Sequence, residues 1–237
     1  MGEESLYRTP LIVLARPEDV LRVGDERLLT PREQWRAGAL RHRADRDASV
    51  AAHLLVRHCA AALTGHPVES LELVQECAVC GSTEHGRPSI AGLPELHVSL
   101  AHTRGAVVAG ADRRPIGVDV EGLRTTDLDP AVLAATLTAA ETARVRSASD
   151  PPSAFLRHWV RKECLVKVGV VTLDELSRVE LDPTTEQDGE EGRTHGRFGS
   201  LHLVDWVDPT LGVAVAAAAH GLPVVDSAGT WAPRRPT

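Results

Sequence analysis

Asp119 and Glu121 stand two residues apart in the otherwise apolar run Pro115–Glu121. In a strand, a side-chain period of two puts both carboxylates on one face. Two acids held side by side repel each other and call for a cation between them. A small set of hard oxygen ligands suits Mg²⁺, which also takes phosphate oxygens and water. The same pair on an exposed edge strand would need no metal, so the spacing alone leaves both readings open. Further along, Trp159, Lys162, Glu163 and Lys167 read as one stripe of a helix. Glu163 and Lys167 form an i,i+4 pair in the favourable order. That pair is either a surface contact worth about 0.3 kcal/mol or one wall of a polar pocket, and Trp159 favours the pocket. Of the 26 Lys+Arg residues only Lys162 and Lys167 are lysines. An ammonium is a compact point charge that can release a proton, whereas a guanidinium is a planar fork that does not. Two lysines kept five residues apart in an arginine-rich chain therefore point to chemistry that arginine does not serve.

Other single residues are ambiguous. His102 closes the run His97–His102, and Arg87 lies in Gly86-Arg87-Pro88; each can reach an anion or face solvent. Cys77, Cys80 and His85 offer three of the four ligands of a structural zinc site, with no second pair at a matching spacing. They read better as a small turn with reduced thiols.

The elements that must position these residues follow from pattern. Leu11–Ala15 reads as a buried strand. Thr30-Pro31-Arg32-Glu33 is a helix start with a capping box, and the helical pattern runs on through Trp35, Leu40 and Asp47–Leu63 to Gly65. Val68–Val74 reads as a strand and Cys77–Pro94 as a loop. His97–Ala101 and Ala106–Gly110 form a hairpin, followed by the strand Pro115–Glu121. A second capping box, Thr138 to Glu141, opens a short helix, and Asp150 caps the longer helix Pro152–Val168. Arg178–Asp182 reads as a strand, 184–197 as a polar loop, and Ser200–Val207 with Leu211–Ala219 as a closing hairpin. Helices followed by a hairpin occur twice. The expected fold is therefore α+β in two similar halves related by a pseudo-twofold: residues 1–113, residues 114–225 carrying the acidic site, and a flexible tail over 226–237.

Composition narrows the class. Of 237 residues, 43% are hydrophobic and 25% charged, which excludes wholesale disorder. A net charge of −7 argues against a duplex nucleic-acid surface. Four cysteines in a chain this long make no disulfide framework, and the acidic start MGEES does not suit a signal peptide. The longest strongly apolar run, Leu211–Ala219, is far too short to span a membrane. The expectation is a soluble cytoplasmic protein.

Taken together the motifs resemble the 4′-phosphopantetheinyl transferases. Gly117-Val118-Asp119-Val120-Glu121 followed by Trp159-x₂-Lys162-Glu163-x₃-Lys167 is similar to the paired signature of that family. The run His97–His102 and the loop Gly86-Arg87-Pro88 are similar to two of its lesser motifs, with Ala101 where the family usually has Ser. The length is that of the longer, Sfp-type branch of two-half monomers. The resemblance implies an enzyme, a holo-[carrier protein] synthase. Such an enzyme moves the 4′-phosphopantetheine arm of coenzyme A onto a serine of an acyl or peptidyl carrier protein and releases 3′,5′-ADP. It implies Asp119, Glu121 and Glu163 as ligands of Mg²⁺ or Mn²⁺, Glu163 as base and Lys167 on the pyrophosphate. Lys162 would support the acidic cluster, and Arg36, Ser49, Arg87 and His102 would contact coenzyme A. The carrier would dock near Val168–Arg178. The alternatives are another Mg²⁺-dependent pyrophosphate-cleaving enzyme, or a coenzyme A-binding protein without catalysis. Which carrier is served is not legible.

Overall fold

Leu11–Ala15, Ala106–Asp112 and Val213–Ala219 are apolar at nearly every position because both faces of each strand are covered. The structure, a computed structural model, describes residues 9–77, 80–83, 86–123, 128–181, 186–187 and 192–226. In chain order the strands are β1 (Leu11–Ala15), β2 (Leu73–Glu76), β3 (Arg87–Ile90), β4 (His97–Thr103), β5 (Ala106–Asp112), β6 (Ile116–Gly122), β7 (Glu186–Gln187), β8 (Thr194–Phe198), β9 (Leu201–Asp208), β10 (Val213–Ala219) and β11 (Val224–Asp226). The helices are α1 (Pro17–Val23), α2 (Pro31–Gly38), α3 (Arg43–Thr64), α4 (Pro130–Thr136), α5 (Ala139–Ser147) and α6 (Pro151–Val168).

The strands make two sheets, one in the order β11-β1-β5-β4-β3-β2 and one in the order β6-β10-β9-β8-β7. They pack face to face. Ile12, Leu14, Ala106 and Val108 of the first sheet meet Val118, Val120, Val215 and Ala217 of the second. The alternate residues point outward. Leu11, Val13, Val107 and Ala109 lie under α3, while Ala214, Ala216 and Ala218 lie under α6. This helix–sheet–sheet–helix stack is the α+β fold that the alternation of helices and hairpins predicts. Among the described residues no helix is long and apolar enough to cross a membrane.

Three local expectations fail. Residues 68–70 form a 3₁₀ turn, and the strand begins at Leu73. The expected loop after Cys77 contains β3, which pairs with β2 along its whole length and with β4 through Ser89 and His97. Its Gly86 and Pro88 carry the turn signal that hid it. Residues 173–178 form a 3₁₀ helix and no strand follows through Leu181, whereas the supposed loop contributes β8, paired residue for residue with β9. The last strand, β11, runs parallel to β1 in the first sheet, so Val224 and Val225, expected in the second half, and Asp226, expected in the tail, pair instead with the opening strand. Residues 227–237 and His85 lie outside the described residues, and with them the expected flexible tail and the third ligand of the Cys77–Cys80 motif.

Candidate functional site

Gly117 sets the distance between β6 and α6. A Cβ at Gly117 would lie 2.2 Å from the carbonyl oxygen of Cys164, so only glycine lets the strand approach the helix main chain this closely. Two and four residues on, Asp119 and Glu121 face the same way. They stand opposite Ala216 and Ala214 of β10, whose side chains lie under α6. Both acids are thereby aimed at the helix that carries Glu163 and Lys167, as the period-two spacing predicts.

Lys167 Nζ donates to Asp119 Oδ1 at 2.7 Å and to the carbonyl of Val118 at 2.9 Å. Asp119 is buried, and its Oδ2 is a buried acceptor without a hydrogen bond among the described residues. Glu163 is half-buried. Burial pushes its carboxyl up, the negative charges of Asp119 and Glu121 push the same way, and Lys167 only partly offsets them. The expected Glu163–Lys167 pair along the helix therefore gives way to a bridge from helix to strand. Hard carboxylate donors, an orphaned Asp119 oxygen and a glutamate held up by its acidic neighbours fit a divalent cation in charge and in donor type. The same side chains do not converge into a ready cage: among the described residues no three His, Cys, Asp or Glu side chains group tightly enough to hold a metal. Lys167 instead supplies the counter-charge.

The other face of Lys167 opens on a cleft of about 610 Å³ between the halves. Arg32, Arg36, His53, Arg87, His97 and Lys167 line it together with the acids Glu33 and Glu72, above an apolar floor that includes Leu73, Leu96 and Val98. A basic rim over an apolar floor suits a molecule with phosphates at one end and less polar groups at the other. Arg36 is braced by Gln75 Oε1 at 2.6 Å and the carbonyl of Thr83 at 3.1 Å. The Arg87 guanidinium lies across Gly169, where a Cβ would fall 1.4 Å from Nη2. Gly169 caps α6 with φ +84°, so this arginine sits where the helix dipole favours a cation. His102 is exposed at the end of β4. Desolvation of the ring by the chain around it, and then the charges of His53 and Lys167, hold its imidazole below the usual range, against the pull of Asp45.

Lys162 and Ser49 are not placed at the site, and His102 is not among the residues that line the cleft. Lys162 is wholly buried, and its ammonium donates to Glu141 Oε2 (2.6 Å), Leu176 O (2.7 Å) and Thr136 O (2.8 Å). All three protons point away from the acidic cluster. The reason is geometric: at about 100° per residue, positions five apart on a helix diverge by about 140°, so Lys162 and Lys167 face different neighbours. Ser49 is buried within α3 and does not line the cleft. Trp159 packs near Phe155, with ring centroids 6.3 Å apart, in the apolar cluster beneath α4 and α5.

The sequence reading missed the partners of the capping-box glutamates. Glu33 accepts from Arg57 at 2.7 and 2.8 Å, while His53 Nδ1 lies 2.6 Å away. Burial alone would raise Glu33; the bonds from His53 and Arg57 outweigh it and hold the carboxyl at about 2. The visible signal was the capping box itself, which gives each glutamate an inward-facing first turn.

Part of the chain is similar in sequence to known proteins. Residues 115–218 match the family model described as the 4′-phosphopantetheinyl transferase superfamily. The chain is 25% identical over 126 residues to a 4′-phosphopantetheinyl transferase of Bacillus subtilis, covering 53% of each chain. It is 27% identical over 84 residues to the 4′-phosphopantetheinyl transferase Sfp of Bacillus subtilis strain 168, covering 35% of this chain and 38% of that one. It is 26% identical over 115 residues to the 4′-phosphopantetheinyl transferase psf-1 of Bacillus pumilus, covering 48% and 46%. These matches span about half the length of the relatives or less. The stretch that holds Asp119, Glu121, Glu163 and Lys167 on one strand–helix face is thus the part of this chain that is similar to the 4′-phosphopantetheinyl transferase superfamily.

Proposed function

We propose that this chain transfers the 4′-phosphopantetheine arm of coenzyme A to a serine of an apo acyl or peptidyl carrier protein. The observation that carries the reading is Lys167, whose ammonium stands between an acidic strand face and a basic cleft. The cleft takes coenzyme A, with Arg36 and Arg87 toward its phosphates and His102 at the edge. Asp119, Glu121 and Glu163 would hold Mg²⁺, which when bound supplies charge neutralisation at the pyrophosphate. The serine oxygen attacks the phosphorus that bears the pantetheine arm. The bond from that phosphorus to the bridging oxygen breaks, and 3′,5′-ADP leaves with the electron pair. Glu163 takes the serine proton, directly or through water. Lys167 stabilises the charge that develops on the leaving pyrophosphate oxygen.

The carrier docks on the segment after α6, where Val170 and Leu173 are 51% and 60% exposed. We take a monomer as the working unit.

The test is intact-mass spectrometry of an apo carrier protein incubated with this protein, coenzyme A and Mg²⁺. The expected result is the gain of one phosphopantetheine arm. Cleavage of coenzyme A with no mass gain would instead support a hydrolase, and tight binding with neither would support a non-catalytic coenzyme A-binding protein.

A further inference from the structure

The two halves share more than their sheets. In the first, Thr30 and Glu33 form a capping box on α2, and Glu33 accepts from Arg57 of α3, a cation with no exposed surface. In the second, Thr138 and Glu141 form a capping box on α5, and Glu141 accepts from Lys162 of α6, again fully buried. Four residues before each cation stands a histidine facing the same glutamate: His53 Nδ1 at 2.6 Å from Glu33, and His158 Nδ1 at 3.6 Å from Glu141. Two residues after each cation stands a buried cysteine, Cys59 or Cys164. Three matched positions on each of two long helices, with the glutamate on a capped short helix before each, make this a repeated device.

What differs between the repeats is informative. Arg57 closes a fork-to-carboxylate pair with Glu33 and adds the carbonyls of His53 and Leu71. Lys162 meets three acceptors on three separate elements, α4, α5 and the 3₁₀ helix, one for each ammonium proton. A planar guanidinium cannot meet three acceptors converging on one point. The buried geometry itself therefore explains why a chain so rich in arginine carries lysine here. Each glutamate also lies close to a group needed at the site. Arg36 is one turn beyond Glu33 on α2 and lines the cleft, whereas Glu163 follows Lys162 on α6.

We infer that the two networks are copies of one positioning clamp, the Glu33–Arg57 copy holding Arg36 in the cleft and the Glu141–Lys162 copy holding Glu163 beside Asp119. Neither Arg57 nor Lys162 touches substrate; each acts through its neighbour. This inference rests on the proposed transfer, so its test includes binding measurements that do not require turnover. Glu33→Gln and Glu141→Gln keep the capping box, which glutamine also satisfies, and weaken the pairing; Glu141→Gln also gives up the bond that Glu141 Oε1 accepts from the Leu181 N–H. Glu33→Gln is expected to raise the coenzyme A Kd from titration calorimetry, and the matching KM, by about 10-fold while kcat stays within about two-fold. Glu141→Gln is expected to lower kcat by about 10-fold and weaken Mg²⁺ binding in the presence of coenzyme A by a similar factor, with the coenzyme A Kd within about two-fold. Should Glu141→Gln not fold, Glu141→Gln combined with Lys162→Met removes both buried charges together and is read in the same way. Two variants that shift the same parameter, or that leave both Kd values and kcat at wild-type levels, overturn the inference. Wild-type protein that binds coenzyme A without modifying any carrier overturns the transfer reading, while the binding arms still decide the clamps.

Discussion

Replacing Gly117 by alanine tests whether the approach of β6 to α6 sets the acidic site. The added Cβ would lie 2.2 Å from the carbonyl oxygen of Cys164, where real Cβ atoms essentially never come within 3.0 Å. The strand or the helix must therefore retreat by at least about 0.8 Å, the difference between those two distances. The obstacle is helix main chain, so no rotamer change relieves it. Asp119 and Glu121 sit on the strand, Glu163 and Lys167 on the helix, and the retreat separates the two pairs. A misplacement of about 1 Å among reacting groups costs on the order of 100-fold in rate, so kcat for carrier modification should fall by about that factor. The coenzyme A KM should change less than kcat, because most of the cleft lining, Arg36 on α2 included, stands on elements other than β6 and α6. Overpacking of this kind also costs about 1–3 kcal/mol, or about 2–4 °C in Tm per kcal/mol for a chain of this size. Gly122→Ala in the same strand is the control: its Cβ would meet Thr103 Oγ1 at 3.6 Å, an ordinary contact. The assay is the rate of mass gain on the carrier, with circular dichroism to confirm folding. A folded Gly117→Ala protein with wild-type kcat would refute the reasoning, since strand and helix could then part without disturbing the acids.

The remaining predictions concern charge. Asp119→Ala should abolish transfer at ordinary Mg²⁺ while the protein stays folded, because it removes both the anchor of Lys167 and a carboxylate of the proposed cation site; full turnover by the folded variant would take Asp119 out of the mechanism. Lys167→Arg should lower kcat by about 10-fold or more, since a guanidinium can take both Asp119 oxygens and cover the buried Oδ2 that the ammonium leaves open. Wild-type kcat in that variant would mean that only the positive charge matters. Glu33 falls from 4.5 to about 2 on folding, so its contribution is complete above about pH 4.5 and is lost as pH drops toward 2. Glu33→Gln should therefore be less stable than wild type at pH 7 by roughly 3 kcal/mol at most, with the gap closing between pH 4.5 and 2 in urea titrations; a gap that does not change with pH would contradict it.

Much of the site was legible in the sequence because it depends on short-range geometry. The period of a strand puts Asp119 and Glu121 on one face wherever the strand lies, and the structure aims that face at α6. The capping boxes at Thr30 and Thr138 open helices as their local hydrogen-bonding chemistry requires, and the runs at β1, β5 and β10 are buried on both faces as their unbroken apolarity implies. The partners of charged side chains on α6 were not legible. Sequence spacing gives the angle at which a side chain leaves a helix, but not which element waits there. Lys162 and Glu163 are adjacent in the chain, yet one is enclosed by α4, α5 and residue 176 while the other faces β6. The cleft likewise belongs to the packing of two halves: Arg36, Arg87 and Lys167 come from three distant segments and meet only when the first sheet folds against α6. A buried ion pair such as Glu33–Arg57 leaves no periodic trace, because its stability comes from the low dielectric of its surroundings, a property that exists only once the chain around it has folded.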